Sequence, residues 1–214
     1  MKRLTILVTS ALLAGAASAQ TNDKTWSFDA DKAGGPPAGF RFARTGSGAQ
    51  GRWVVRAEPG APSGANVLAQ LDPDDTDNRF PVAVLDGLSV KDVRVSVRCK
   101  PVSGKVDEAC GLVFRYRDEN NYYVTRANAL EDNVRLYKVE KGSRRQLASF
   151  SGDVSRGTWH TLAAEAKGEE LRIFWNGKKI LEVKDATFDQ AGTVGVWTKA
   201  DSVTYFDDLT ISGK

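Results

Sequence analysis

Glu131 and Asp132 stand side by side in the segment ALEDN, between two stretches that alternate apolar and polar residues. A carboxyl group placed there can protonate a leaving oxygen, or, once ionised, remove a proton made acidic by a neighbouring carbonyl. The pair is therefore the candidate for acid and base work. Turns also recruit Glu, Asp and Asn for conformational reasons, and that reading stays open beside the catalytic one.

The flanking segments supply candidates for holding a substrate. In GLVFRYR, alternation sets Leu112, Phe114 and Tyr116 against Val113, Arg115 and Arg117. In NVRLYKV, Val134 and Leu136 oppose Asn133, Arg135 and Tyr137. If the apolar sets face a core, Arg115, Asn133 and Arg135 share an open face with Arg126 and Asn128 of VTRAN. Amides and guanidinium forks present paired donors and acceptors suited to sugar hydroxyls. The alternative is a solvated sheet face. Near the C-terminus, VGVWTKADSVTY puts Val194 and Val196 inward and Trp197 and Lys199 on the other side, close to Asp201 and Tyr205. A partly exposed Trp197 would offer a flat platform to a pyranose ring, with Lys199 and Asp201 fixing hydroxyls. The competing role for Trp197 is to seal the edge of a sandwich.

Two other polar features point to structure. LDPDDTDN, residues 72–78 and their leading Leu71, lacks the Gly and Glu of a calcium loop and reads as a surface turn. His160 is the only histidine, and no local motif sets a nucleophile or a second imidazole beside it.

The elements that must position these groups are strands. Segments of five to eight residues rich in Val, Tyr, Phe, Thr and Ile recur along the chain, separated by turn residues, and none sustains a helical period. Asn176-Gly177 and Lys141-Gly142 each sit between alternating runs and mark antiparallel hairpins. About a dozen strands at this spacing predict an all-β fold, a two-sheet antiparallel β-sandwich of jelly-roll type.

Residues 1–19 read as a cleaved signal peptide: Lys2 and Arg3, an apolar run from Leu4 to Ala16, and Ala17-Ser18-Ala19 before Gln20. Residues 20–214 then form one domain in an exported protein, periplasmic or extracellular, with no membrane association after the signal is removed. Losing Lys2 and Arg3 takes the formal charge from +3 to +1, which gives no electrostatic case for nucleic acid. Cys99 ends one strand and Cys110 begins the next, so a cross-strand or hairpin-base disulfide is expected in an oxidising compartment.

Three blocks in order, GLVFRYRDENNYYVTRANALEDNVRLYKVEKG, TWHTLAAEAKGEELRIFWNGKKI and GTVGVWTKADSVTYFDDLTI, resemble the concanavalin A-like jelly rolls, laminin-G-like modules among them. More narrowly, the chain is similar to the bacterial secreted domain family named for 3-keto-disaccharide hydrolysis. The resemblance implies a concave sheet that handles a carbohydrate or glycoside, by hydrolysing 3-keto-glycosides in the narrower family, without itself assigning catalytic residues. The second reading is a non-catalytic sugar-binding or laminin-G-like interaction domain. The E-x-D-x-x-E strand of laminarinase-like hydrolases is absent, which weighs against an ordinary retaining endoglucanase. Sugar-binding jelly rolls often end in a Tyr-x-Asp-Asp pattern whose aspartate holds a structural Ca²⁺. Asp208, with Asp29 of WSFDAD, is the corresponding candidate here.

Overall fold

The computed structural model describes residues 23–212, so the expected signal peptide lies outside the described residues. Fifteen strands, numbered along the chain, account for the regular structure, and the described residues contain no helix. One sheet runs β13 (Lys178–Lys184), β12 (Glu170–Trp175), β11 (His160–Lys167), β6 (Val93–Ser103), β15 (Val203–Ser212), β4 (Asn66–Gln70), β3 (Trp53–Ala57), with β1 (Lys24–Trp26) also on β15. The other runs β10 (Ser143–Ser151), β9 (Asn133–Glu140), β8 (Asn121–Asn128), β7 (Ala109–Asp118), β14 (Thr193–Trp197), β5 (Arg79–Leu85), β2 (Phe40–Gly46). Neighbours pair antiparallel, as the jelly-roll expectation requires.

Period-two alternation builds the core. Leu112 and Phe114 of β7, Val134 and Leu136 of β9, and Val194 and Val196 of β14 meet Val95 and Val97 of β6, Leu162 and Ala164 of β11, and Phe206 of β15 between the sheets. The hairpin turns form as their sequences demand: Asn176 and Gly177 have φ of 47° and 82°, and Lys141 and Gly142 have 51° and 77°. Both central residues at positive φ give the turn whose twist matches the flanking strands.

Cys99 and Cys110 are disulfide-bonded, with Cα atoms 6.2 Å apart. The bond differs in kind from the hairpin-base bridge expected from sequence, because β6 and β7 lie in opposite sheets. It staples the two layers through the core.

Candidate functional site

The seven-stranded sheet has a second populated face, on the side away from the core. Alternation brings Phe80, Val82 and Val84 of β5, Val113 of β7, Tyr122 and Val124 of β8, Tyr137 and Val139 of β9, and Trp197 of β14 together there. Gly111 permits this layer, since a Cβ at that position would lie 2.9 Å from Trp197 Cε3 and 3.2 Å from the Thr125 carbonyl. Trp197 therefore lies flat across β7, stacked on Phe80 with ring centroids 5.5 Å apart.

Charged groups cover this floor. The Arg126 guanidinium donates to Asn133 Oδ1, to Glu131 Oε2 at 3.0 Å and to the Tyr137 hydroxyl at 3.3 Å. Arg135 Nη1 reaches the same Glu131 oxygen at 2.9 Å, and Asn133 Nδ2 donates to it at 3.0 Å. Partial burial works against the Glu131 charge, but the Asn133 hydrogen bond and the Arg126 guanidinium outweigh it and hold the carboxyl below its usual range. Glu131 is thus kept ionised.

A second group adjoins the first. Asp107 is 2% exposed; its Oδ1 accepts from Asn128 Nδ2 at 2.9 Å, and its Oδ2 pairs with Lys199 at 2.9 Å. Lys199 also pairs with the exposed Asp77. Burial pushes the Asp107 carboxyl up, against the pull of Lys199. Arg144, on edge strand β10, lays its guanidinium 4.6 Å from the centroids of both Phe80 and Tyr137. Beside it, Asp77, Phe80, Ser143, Arg144 and Lys199 line a depression of about 370 Å³.

Of the residues singled out in the sequence, Arg126, Asn128, Glu131, Asn133, Arg135 and Lys199 converge on this face. Others are placed differently. Arg115 has φ of 47° at a bulge in β7, where the register shifts between Phe114 and Asp118. The extra residue breaks the alternation, so Tyr116 instead of Arg115 joins Val113 on the outer face. The buried Arg115 guanidinium donates to the carbonyls of Lys91, Phe188 and Gly168 at 3.0, 2.9 and 2.7 Å, tying three loops together. Trp197 is on the expected face but fully buried, because Phe80 and Arg144 lie against it, so it offers no open platform. Tyr205 belongs to the other sheet, on whose outer face Arg56 and Lys100 lie against its ring at 4.8 and 5.4 Å.

Asp201 accepts backbone N–H groups of Lys105, Val106 and Asp107 at 2.6, 3.1 and 3.0 Å. It positions the loop that carries Asp107 and does not itself face the depression. Asp132, with φ of 48°, turns its Oδ1 to the Val154 N–H at 3.1 Å, while Glu131 turns to Arg126 and Arg135, so the two adjacent carboxylates do not converge. His160 stacks on Trp175 with centroids 4.6 Å apart and bonds the Ser155 carbonyl. The 72–78 segment packs on the buried Arg79, whose guanidinium reaches Asp72 at 3.2 Å.

Asp29 and Asp208 both serve the turn at residues 63–66. Asp29 Oδ1 accepts the Ala65 and Asn66 N–H groups at 2.7 and 3.0 Å, and Asp208 Oδ1 accepts the Ser63 hydroxyl at 2.6 Å. Asp207, between them in charge terms and fully buried, is raised to about 6 by burial, with Asp208 and Asp29 adding repulsion. Among the described residues no group of three or more His, Cys, Asp or Glu side chains is arranged to hold a metal ion. As placed, Asp29 and Asp208 act as acceptors for the 63–66 turn.

Four participants escaped the sequence reading. Asp107 and Asp77 come from loops without periodicity. Arg144 carried a weak signal, being two residues past the Lys141-Gly142 turn and in register with Val139 of the outer face. Phe80 sits in an apolar strand buried on both sides, where alternation is silent.

No protein-family model matches the chain. It is 27% identical over 105 residues to the levanase of Bacillus subtilis strain 168; the match takes in 48% of this chain and spans 15% of the levanase. Among solved structures, it is similar to the carbohydrate-binding module CBM66 from Bacillus subtilis, with a TM-score of 0.63, 20% identity, and coverage of 82% of this chain and 96% of the module. A β-glucanase of Bacillus licheniformis aligns with a TM-score of 0.58 at 8% identity, over 89% of this chain and 98% of the enzyme. The fold is therefore the jelly roll shared by carbohydrate-binding modules and glycosidases.

Proposed function

We propose that this protein is an exported, non-catalytic carbohydrate-binding module that takes a saccharide on the outer face of its seven-stranded sheet. The observation that carries this reading is the Arg126–Glu131–Asn133–Arg135 constellation beside Tyr137. Arg135 and Glu131 are open to solvent there and offer a donor and an ionised acceptor, with the buried Arg126, Asn133 and Tyr137 behind them fixing their positions. The same geometry argues against hydrolysis. A general acid must hold a proton, and Glu131 is held ionised. Asp107, the one carboxyl on this face that is pushed up, has its two oxygens engaged by Lys199 and Asn128 and is closed to a glycosidic oxygen. The cystine staple fits an oxidising compartment outside the cytoplasm.

The levanase likeness makes levan the first saccharide to test. The competing reading, hydrolysis of 3-keto-glycosides, rests on sequence resemblance and on the divergent shifts of Asp107 and Glu131. Incubating the purified protein with levan oligosaccharides, 3-keto-glucosides and their unoxidised parents, followed by mass spectrometry, separates the two. Binding without product supports the module. Turnover of the keto-sugars alone would replace it with the hydrolase.

A further inference from the structure

Around the depression the outer face carries four cations, Arg126, Arg135, Arg144 and Lys199, and three carboxylates, Asp77, Asp107 and Glu131. Arg126 and Arg135 share Glu131, and Lys199 is held between Asp77 and Asp107. Arg144 has no carboxylate partner among the described residues, and its Nη1 is buried without a hydrogen-bond partner. The Arg144 guanidinium lies 4.6 Å from the Phe80 and Tyr137 ring centroids and 5.9 Å from that of Trp197. A buried polar group left unpaired is costly, and a planar guanidinium held by aromatic rings is preorganised for a carboxylate. Burial pushes the Arg144 guanidinium down from its usual range, with Tyr137 working against that and the nearby Arg126 charge adding to it. The exposed Asp77 carboxylate at the rim pairs with Lys199 and feels the Arg144 charge without an ion pair to it.

We propose that the depression beside Arg144 receives the carboxylate of an acidic sugar, a uronate residue, with Arg144 as its fork and Lys199 adding attraction. The proposal rests on the carbohydrate-binding reading and deepens it by naming the ligand's charge. The ring of the same sugar would lie toward Tyr137 and Arg126.

The test is isothermal titration at physiological ionic strength with trigalacturonate, its methyl ester and a neutral levan oligosaccharide, on wild type and on Arg144→Gln. Wild type should bind the free acid at least about tenfold more tightly than the ester, the size of one charge-assisted contact. Arg144→Gln should erase that preference, bringing the affinities for acid and ester within about threefold of each other, a gap well under one such contact. Equal binding of acid and ester by wild type, which needs no variant to fold, overturns the anion assignment. If the levan oligosaccharide binds as tightly as the free acid, that assignment falls and the carbohydrate reading stands. If no saccharide binds, both fall.

Discussion

Replacing Glu131 by glutamine and by alanine separates a structural and binding role from a catalytic one. The donors Arg126, Arg135 and Asn133 all converge on Oε2, so a glutamine with its carbonyl at that position keeps each acceptor geometry and loses only the charge. Charge-assisted hydrogen bonds then become neutral ones. With Glu131 more than one third exposed, that exchange should cost about 1 kcal/mol or less. Alanine removes the acceptor altogether. Arg126, which is 2% exposed, keeps only Asn133 and the Tyr137 hydroxyl, and the expected loss is about 2 kcal/mol. Urea unfolding with unchanged m-values measures both variants, and the order of the two losses matters more than their size. For function, Glu131→Gln leaves the guanidinium donors in place, so saccharide affinity should fall by less than about tenfold, under one full contact. If Glu131→Ala is as stable as wild type, the pair is not desolvated and the account of the site is wrong. If Glu131→Gln abolishes turnover of a saccharide that wild type cleaves, the non-catalytic reading is refuted.

Other outcomes follow from packing and charge. Gly111→Ala places a Cβ against Trp197 and the Thr125 carbonyl and should destabilise by about 1–3 kcal/mol, with a changed Trp fluorescence spectrum as the ring lifts. Replacing Cys99 and Cys110 together by alanine should cost about 2–3 kcal/mol in chemical unfolding, because the staple restricts the unfolded chain. Asp207, raised from 3.8 to about 6, binds its proton more tightly in the folded state than in the unfolded one. Wild type should therefore lose up to about 3 kcal/mol relative to Asp207→Asn as pH rises from 4 to 8, and a flat difference curve would contradict this. Asp29 and Asp208 already serve the 63–66 turn, so calcium and chelator should leave the thermal midpoint unchanged; a rise with Ca²⁺ would support a metal there.

The outer face was legible where alternation ran undisturbed. Val124, Arg126 and Asn128 on β8, and Asn133, Arg135 and Tyr137 on β9, fall on the side that period two assigns, and their apolar neighbours fall in the core. Legibility ended at Arg115, where a bulge adds one residue and reverses the faces without a glycine or proline to announce it. It also ended where cover comes from distant chain. Trp197 was assigned the correct side, but nothing local reveals that Phe80 and Arg144 close over it. Tyr205 and Asp201 were grouped with Trp197 by proximity along the chain, yet the stretch between β14 and β15 crosses from one sheet to the other. Asp107 entered the site because Asp201 holds its loop, a contact between residues 94 positions apart.

The most direct measurement is an amide chemical-shift map of the isotopically labelled protein during titration with levan oligosaccharides and trigalacturonate. The account predicts saturable shifts at residues 126, 133, 135, 137, 144 and 199, and none at Arg56, Lys100 or Tyr205 on the opposite sheet. Shifts confined to the Tyr205 face, or none with any saccharide, would contradict it.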